Sequence, residues 1–167
     1  MKRLILAMAV IAISTATVQA QDKMSPKKTV ISIAVNAGIP TTTNITAKES
    51  ISFVMGGDIQ ADFGVAKSLK ITLSGGLENY SVKGDKLSSR SIIPLLGGVK
   101  FLFSDKFYGH AQLGYGIGQV GGSGAFAYAP SIGYNFSPKF DASVKYLAFS
   151  TSTLNVGSVN LRLAYDF

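Results

Sequence analysis

The last nine residues of the chain, Val159 to Phe167, read VNLRLAYDF, with an apolar side chain at every second position. The residues between them are small or polar: Asn160, Arg162, Ala164 and Asp166. A period of two residues is typical of a β-strand whose two faces meet different surroundings. The ending therefore predicts a final strand with one apolar face, closed by an aromatic residue.

The same alternation extends through most of the chain. Ile51 to Val65 (ISFVMGGDIQADFGV) keeps it for 15 residues without a slip. Further segments follow the same rule and bring the predicted strands to eight: 30–39, 51–65, 69–78, 93–103, 107–117, 126–136, 140–148 and 159–167. A strand that crosses a membrane needs about 9–11 residues, so eight strands leave room for loops whereas 16 would not.

The connections between the predicted strands are of two kinds. Phe103 to Phe107 and Phe136 to Phe140 repeat one Phe-Ser-X-Lys-Phe turn, and Ala66 to Ser68 is a third short turn. The alternate connections are longer and rich in Ser, Thr, Gly and Asn: 40–50, 83–91, 118–125 and 149–157. Short turns at one end and long loops at the other are typical of a transmembrane β-barrel.

The two repeated turns also predict how their strands pair. A hairpin centred on Asp105 sets Lys100 opposite His110. A hairpin centred on Pro138 sets Phe136 opposite Phe140. Aromatic residues then gather in two girdles near the ends of the strands, where amphipathic rings favour a membrane interface.

The N-terminus has the layout of an export signal. Lys2 and Arg3 precede an apolar run from Leu4 to Ile13, and small residues lead to Ala20. The run is too short to span a bilayer, which takes about 20 residues. We therefore expect residues 1–20 to be a cleavable signal peptide, 21–29 a polar periplasmic lead-in, and 30–167 the barrel.

Composition excludes several classes of function. The chain has 167 residues, no Cys and one His, which excludes disulfides, thiolate chemistry and a Cys/His zinc site. The 18 glycines disfavour a helical bundle. The net charge of +7 is dispersed, and export argues against nucleic acid as a partner.

The polar face of the predicted strands decides which side points outward. A soluble barrel with the apolar face inside would need an outer surface dense in long polar groups. This face instead carries mostly Gly, Ala, Ser and Asn with isolated ionisable residues: Asp58, Asp62, Lys70, Glu78, Lys100, His110, Asp141, Lys145, Arg162 and Asp166. We expect them to form a charge network in a filled lumen, because eight strands leave an interior just wide enough for side chains.

Signal peptide, alternation and the aromatic ending together resemble the small eight-stranded outer-membrane β-barrel family, similar to the transmembrane part of outer membrane protein A. The resemblance covers Val30 to Phe167 and implies an all-β, closed, antiparallel up-and-down barrel in the cell outer membrane with both termini periplasmic. We expect a monomer in contact with outer-membrane lipid and lipopolysaccharide. The resemblance also implies that Leu163, Tyr165 and Phe167 form the signal for the barrel-assembly machinery. No periplasmic domain is expected after Phe167.

Catalytic hypotheses are weak. His110 suggests an acyltransferase by resemblance to other eight-stranded barrels, but it lies near a short turn, whereas such a site would lie near the outer leaflet. Asp58 and Asp62 are about 13 Å apart along a strand, too far for a catalytic dyad. No nucleophile elbow, phosphate loop or metal cluster is present in the sequence, so we predict no catalytic residue, cofactor or metal.

One stretch of the lumen face leaves two interpretations open. Small residues line its loop-side half: Gly114, Gly116, Gly118, Ala127, Ala129, Ser131 and Gly133. They make room for inward Leu96, Leu147 and Phe149, or they form a cavity for a small apolar ligand.

The sequence predicts a structural or surface-exposed barrel protein that is not an enzyme. The alternatives are a narrow or gated pore for small solutes, and an adhesin or lipopolysaccharide-binding barrel that acts through its loops. Lys83, Lys86 and Arg90 in the second long loop are candidates for contacts with lipopolysaccharide phosphates.

Overall fold

A computed structural model of the chain describes residues 29–41, 44–46, 49–82, 89–118, 124–151 and 155–167. The predicted signal peptide and most of the lead-in lie outside the described residues. The strands are β1 (Thr29–Pro40), β2 (Asn44–Thr46), β3 (Glu49–Ala66), β4 (Leu69–Val82), β5 (Ser89–Leu102), β6 (Phe107–Gly118), β7 (Ala125–Ser137), β8 (Phe140–Ser150) and β9 (Asn155–Asp166). No helix in these ranges is long and apolar enough to cross a bilayer.

Eight long strands close into an antiparallel barrel. Each of β3 to β8 pairs with the next strand in the sequence, and β1 pairs with both β3 and β9. The closing ladder sets Val35 opposite Leu163. The short β2 pairs only with the start of β3, inside the first long connection, and is not part of the wall. The prediction of a closed eight-stranded meander is therefore confirmed.

The registers of the two repeated hairpins match the prediction with one exception. Lys100 faces His110 between β5 and β6, and Tyr134 faces Ala142 between β7 and β8. The predicted pairing of Phe136 with Phe140 is wrong, because Ser137 faces Phe140 across a register shift. The turn then consists of two residues, Pro138 and Lys139. The register of this turn differs by one residue from that of the rest of the β7–β8 pairing, and a β-bulge between Asn135 and Ser137 accommodates the difference.

Apolar side chains cover the outside of the barrel, and charged ones point inside. Phe63, Leu161 and Leu163 are 38%, 52% and 48% exposed. Asp58 and Arg162 are only 7% and 4% exposed. This arrangement inverts that of a soluble barrel, and it is the one that a lipid environment requires.

Candidate functional site in the barrel interior

The interior contains two layers of opposite chemistry. The polar layer lies toward the short turns and contains Ser32, Asn36, Asp58, Asp62, Lys100, Tyr108, His110, Asp141, Lys145 and Arg162. The apolar layer lies toward the long connections and contains Val54, Tyr80, Ile92, Leu96, Ala125, Ala127, Ala129, Leu147, Phe149 and Val156. Both layers come from inward-pointing positions, and β3, β5, β8 and β9 contribute to both, so the division lies along the barrel axis.

Arg162 and Asp58 form the central ion pair of the polar layer. Arg162 Nε lies 3.1 Å from each carboxylate oxygen of Asp58, and Nη2 lies 2.9 Å from Oδ1. The residues are 104 positions apart in the chain, on β9 and β3. They meet because β1 lies between these strands and pairs with both. Charge-assisted, bidentate contacts of this kind are the strongest hydrogen bonds that side chains make.

Three further side chains extend this ion pair. Lys145 Nζ lies 3.6 Å from Asp58 Oδ2, and Arg162 Nη1 lies 3.7 Å from Asp141 Oδ1. The Tyr108 hydroxyl donates a hydrogen bond of 2.5 Å to Asp141 Oδ1. The two carboxylates therefore share the positive charges of Arg162 and Lys145.

Asp62 is the centre of a second group nearer the turns. Lys100 Nζ lies 2.7 Å and Lys70 Nζ 3.7 Å from Asp62 Oδ2. Gln60 Nε2 donates to the other carboxylate oxygen at 2.6 Å. Lys100 also lies over the ring of Tyr108, 4.7 Å from its centroid, which links this group to Asp141.

His110 is buried and is hydrogen-bonded to a hydroxyl. Its Nε2 lies 2.8 Å from Thr72 Oγ1, and its strand neighbour is Lys100. No carboxylate in the described part of the chain is hydrogen-bonded to His110. The geometry lacks the acid–His–nucleophile series that an acyltransferase would need.

Three of the ten candidate lumen residues have no ion-pair partner in the described ranges. Glu78 lies between the layers, where its Oε1 accepts a 3.0 Å hydrogen bond from Asn36 Nδ2 and its Oε2 has no partner. Asn36 Oδ1 and Asn160 Oδ1 are buried acceptors without a partner as well. Asp166 is partly exposed at the turn-side rim. The structure therefore brings seven of the ten into ion pairs, with His110, Glu78 and Asp166 outside them.

The apolar layer is filled by large side chains that fit against small ones. Tyr80 and Phe149 meet edge to face with ring centroids 6.5 Å apart. A Cβ on Gly116 would lie 2.5 Å from the Phe149 ring. Leu147 and Phe149 are 0% and 1% exposed. Gly116 makes room for Phe149, and the geometry favours that interpretation over a ligand cavity. The predicted place of Gly133 in the loop-side half is wrong, because Gly133 lies against Tyr108 in the polar layer.

Two recesses of the described surface lie on the outer face. One has a volume of about 500 Å³ and is lined by residues that include Ile59, Leu73 and Leu95. A second lies beside Phe136, Phe140 and Leu163. Within the described ranges, no group of three His, Cys, Asp or Glu residues could hold a metal ion.

Sequence reasoning left several polar residues of the interior out of the predicted network, among them Asn36 and Tyr108. Asn36 bridges Asp58 and Glu78, donating to each at 3.0 Å. Tyr108 binds Asp141 and lies under Lys100. The alternation contains the signal for both, because Tyr108 shares the inward parity of His110, and Asn36 that of Ser32.

The residues of the predicted assembly signal lie at the outer face of β9 and the residue after it. Leu163 is 48% and Phe167 is 68% exposed. The ring of Tyr165 contacts those of Phe167 and Phe140, with centroids 4.9 and 5.0 Å apart. Their role in assembly stays a prediction.

Comparisons with known proteins identify the fold. No protein-family model and no curated protein matches the sequence. The crystal structure of Ail, the attachment invasion locus protein of Yersinia pestis, is similar with a TM-score of 0.63 at 16% identity, over 86% of this chain and 100% of that one. The N-terminal β-barrel domain of Pseudomonas aeruginosa OprF gives a TM-score of 0.60 at 11% identity, over 84% and 99%.

A designed protein is similar too. A de novo transmembrane β-barrel gives a TM-score of 0.56 at 17% identity, over 86% of this chain and 100% of that one. A fold that design reproduces without a natural function does not by itself indicate one. The chain has the fold of the small eight-stranded barrels of bacterial outer membranes.

Proposed function

We propose that the protein is an integral, monomeric outer-membrane barrel with a sealed lumen, which acts as a structural or surface-exposed protein rather than as an enzyme or a pore. Both termini would be periplasmic, and Leu163, Tyr165 and Phe167 would be read by the barrel-assembly machinery. Its surroundings would be outer-membrane lipid and lipopolysaccharide.

The outer surface supports membrane insertion. The apolar exterior ends at the turn side in a row of aromatic pairs, including Phe107 with Tyr134 at 4.8 Å between centroids. On the loop side, Tyr128 lies 6.5 Å from Phe126 and 6.1 Å from Tyr146. Rings at two levels match the two interfaces of a bilayer.

The filled apolar layer is the observation that carries the proposal of a sealed lumen. A hydrated ion would have to pass Tyr80, Leu147 and Phe149, which are at most 1% exposed. An apolar constriction excludes water and therefore blocks ions even where the rest of the lumen is polar. The polar layer alone would not settle this point, because ion pairs can rearrange.

Single-channel recording in planar bilayers tests the sealed lumen. We expect no conductance from the wild type or from Arg162→Ala, because both retain the apolar layer. The double variant Leu147→Ser, Phe149→Ser should conduct, because it lets water enter that layer. Heat-modifiable migration on a gel verifies that each variant is folded. Conductance in the wild type, or in Arg162→Ala alone, would contradict the proposal.

Recognition through the loops is the second candidate function. The described strand ends that the long connections join lie at one rim of the barrel. Ail, which shares the fold, is named for attachment and has been solved in complex with the heparin analogue sucrose octasulfate. We propose that any ligand, whether a host surface or lipopolysaccharide phosphate, binds this rim. Deletion of Thr41 to Lys48 should reduce the adhesion of cells that display the barrel. Unchanged adhesion would argue against recognition through this loop.

A further inference from the structure

The repeated Phe-Ser-X-Lys-Phe turn has a common local structure that the proposed function does not use. Ser104 Oγ accepts hydrogen bonds from the backbone N–H groups of Lys106 at 3.3 Å and Phe107 at 3.1 Å. Ser137 Oγ accepts one from the N–H of Lys139 at 3.2 Å. Because serine satisfies the turn internally, the lysine side chain is not needed to hold it.

A lysine is exposed in every one of the three short turns. Lys67, Lys106 and Lys139 lie between β3 and β4, β5 and β6, and β7 and β8. Successive turns are two strands apart in a closed wall of eight, so the lysines lie about a quarter of the circumference from one another. One acid, Asp105, is exposed beside Lys106.

Lys106 and Lys139 lie in the two turns that carry the aromatic girdle. Lys139 Nζ lies 3.5 Å from the hydroxyl of Tyr165 and 5.9 Å from its ring centroid. The Phe residues of both repeated turns are exposed: Phe103, Phe107, Phe136 and Phe140. Rings of this kind mark the boundary between acyl chains and headgroups. A lysine one residue beyond them reaches the depth of the phosphates.

We propose that Lys67, Lys106 and Lys139 bind the headgroup phosphates of anionic phospholipids, such as phosphatidylglycerol, in the leaflet at the turn side. The inference rests on the proposed insertion in a membrane. It assigns the repeated turn a function as an anchor: the phenylalanines enter the acyl boundary, and the ammonium group binds the phosphate above it. Each lysine near an anionic membrane surface increases the affinity for that surface by a factor of about five.

The association of spin-labelled lipids with the reconstituted barrel tests this inference. For the wild type we expect phosphatidylglycerol to associate about twice as strongly as phosphatidylcholine, averaged over the lipid shell. The variant K67Q/K106Q/K139Q should lose that preference. The matched control K48Q/K83Q/K86Q removes three lysines from the long connections and should keep it. High salt should weaken the wild-type preference as well.

Two results would overturn the inference. One is an unchanged preference in the turn variant, and the other is an equal loss in both variants, which would indicate general electrostatics instead of binding at the turns. If the first of these results is accompanied by a loss of binding to isolated peptidoglycan in the turn variant, the lysines would be assigned to that polymer instead. Heat-modifiable migration and bilayer insertion are recorded for all three proteins, so a failure to insert is distinguished from a failure to select lipid.

Discussion

The polar and apolar layers of the lumen share the strands β3, β5, β8 and β9 but are specified in different ways. In the polar layer each contact depends on a particular partner, as in the pair of Arg162 and Asp58. In the apolar layer shape alone matters, as where Phe149 lies against Gly116. The polar layer therefore requires particular partners on particular strands, while the apolar layer closes the interior to water. Substitutions in the two layers should change the free energy of unfolding by different amounts. The changes should also differ in their dependence on salt and in whether they add up in double variants.

The largest effect is expected from Arg162→Ala. It leaves Asp58 buried with Lys145 as its remaining ionic partner, at 3.6 Å. Removal of one member of a buried ion pair costs about 3–5 kcal/mol in the free energy of unfolding. Denaturant unfolding in lipid vesicles or micelles measures it. The double variant Asp58→Asn, Arg162→Met should recover part of the loss, because it removes one charge of each sign and leaves Lys145 and Asp141 as one positive and one negative charge in the layer. A loss below about 1 kcal/mol in Arg162→Ala would show that the pair does not organise the layer.

Leu147→Ala tests the apolar layer and should cost somewhat less. The side chain is fully buried, and its truncation leaves a cavity worth about 2–5 kcal/mol. Unlike the loss in Arg162→Ala, this loss should not change with salt concentration. Leu161→Ala is the matched control on the outer face, where lipid chains can occupy the vacated space. Equal losses in the two leucine variants would argue that lipid or water fills the interior.

Gly133→Ala asks how tightly the polar layer is packed. A Cβ at this position would lie 2.2 Å from the Tyr108 ring, whose hydroxyl is bound to Asp141. Overpacking of this kind costs about 1–3 kcal/mol. Gly97→Ala is the control, because its Cβ would meet Leu73 at an ordinary 3.6 Å on the outer face. The two free energies of unfolding should differ clearly, and similar values would mean that Tyr108 can move aside.

Glu78→Gln should have the smallest effect and the opposite sign. Glu78 is a buried acid without an ion pair among the described residues, and its Oε2 lacks a hydrogen-bond donor. Glutamine keeps the acceptor that faces Asn36, removes the charge and replaces the unpartnered Oε2 by an amide donor. We expect the free energy of unfolding to rise by about 1 kcal/mol at neutral pH. Asp58→Asn, at a paired carboxylate, should lower it. A loss of several kcal/mol in Glu78→Gln would indicate that the negative charge is required.

Much of the barrel could be predicted from the sequence because alternation is a local property. Parity along each strand assigned Leu161 to the outside and Arg162 to the inside, and the repeated turn predicted that Lys100 faces His110. The bulge at Ser137 was not predicted, because it depends on how a tight turn fits a ladder that neighbouring strands already hold. The partners of Glu78 could not be read from parity either, since parity gives the face of a side chain but not its height or its neighbours.

The sequence by itself determined the number of strands, the inward and outward face of each, and the end of the barrel at which the short turns lie. A two-residue period and the chemistry of short turns act between residues close in the chain. Only the tertiary structure decided that Arg162 binds Asp58 across β1, that Glu78 has no cation beside it, and that the lumen divides into two layers. Those features depend on closure of the sheet, which brings together side chains as far as 104 residues apart and fixes which of several inward acids each cation reaches.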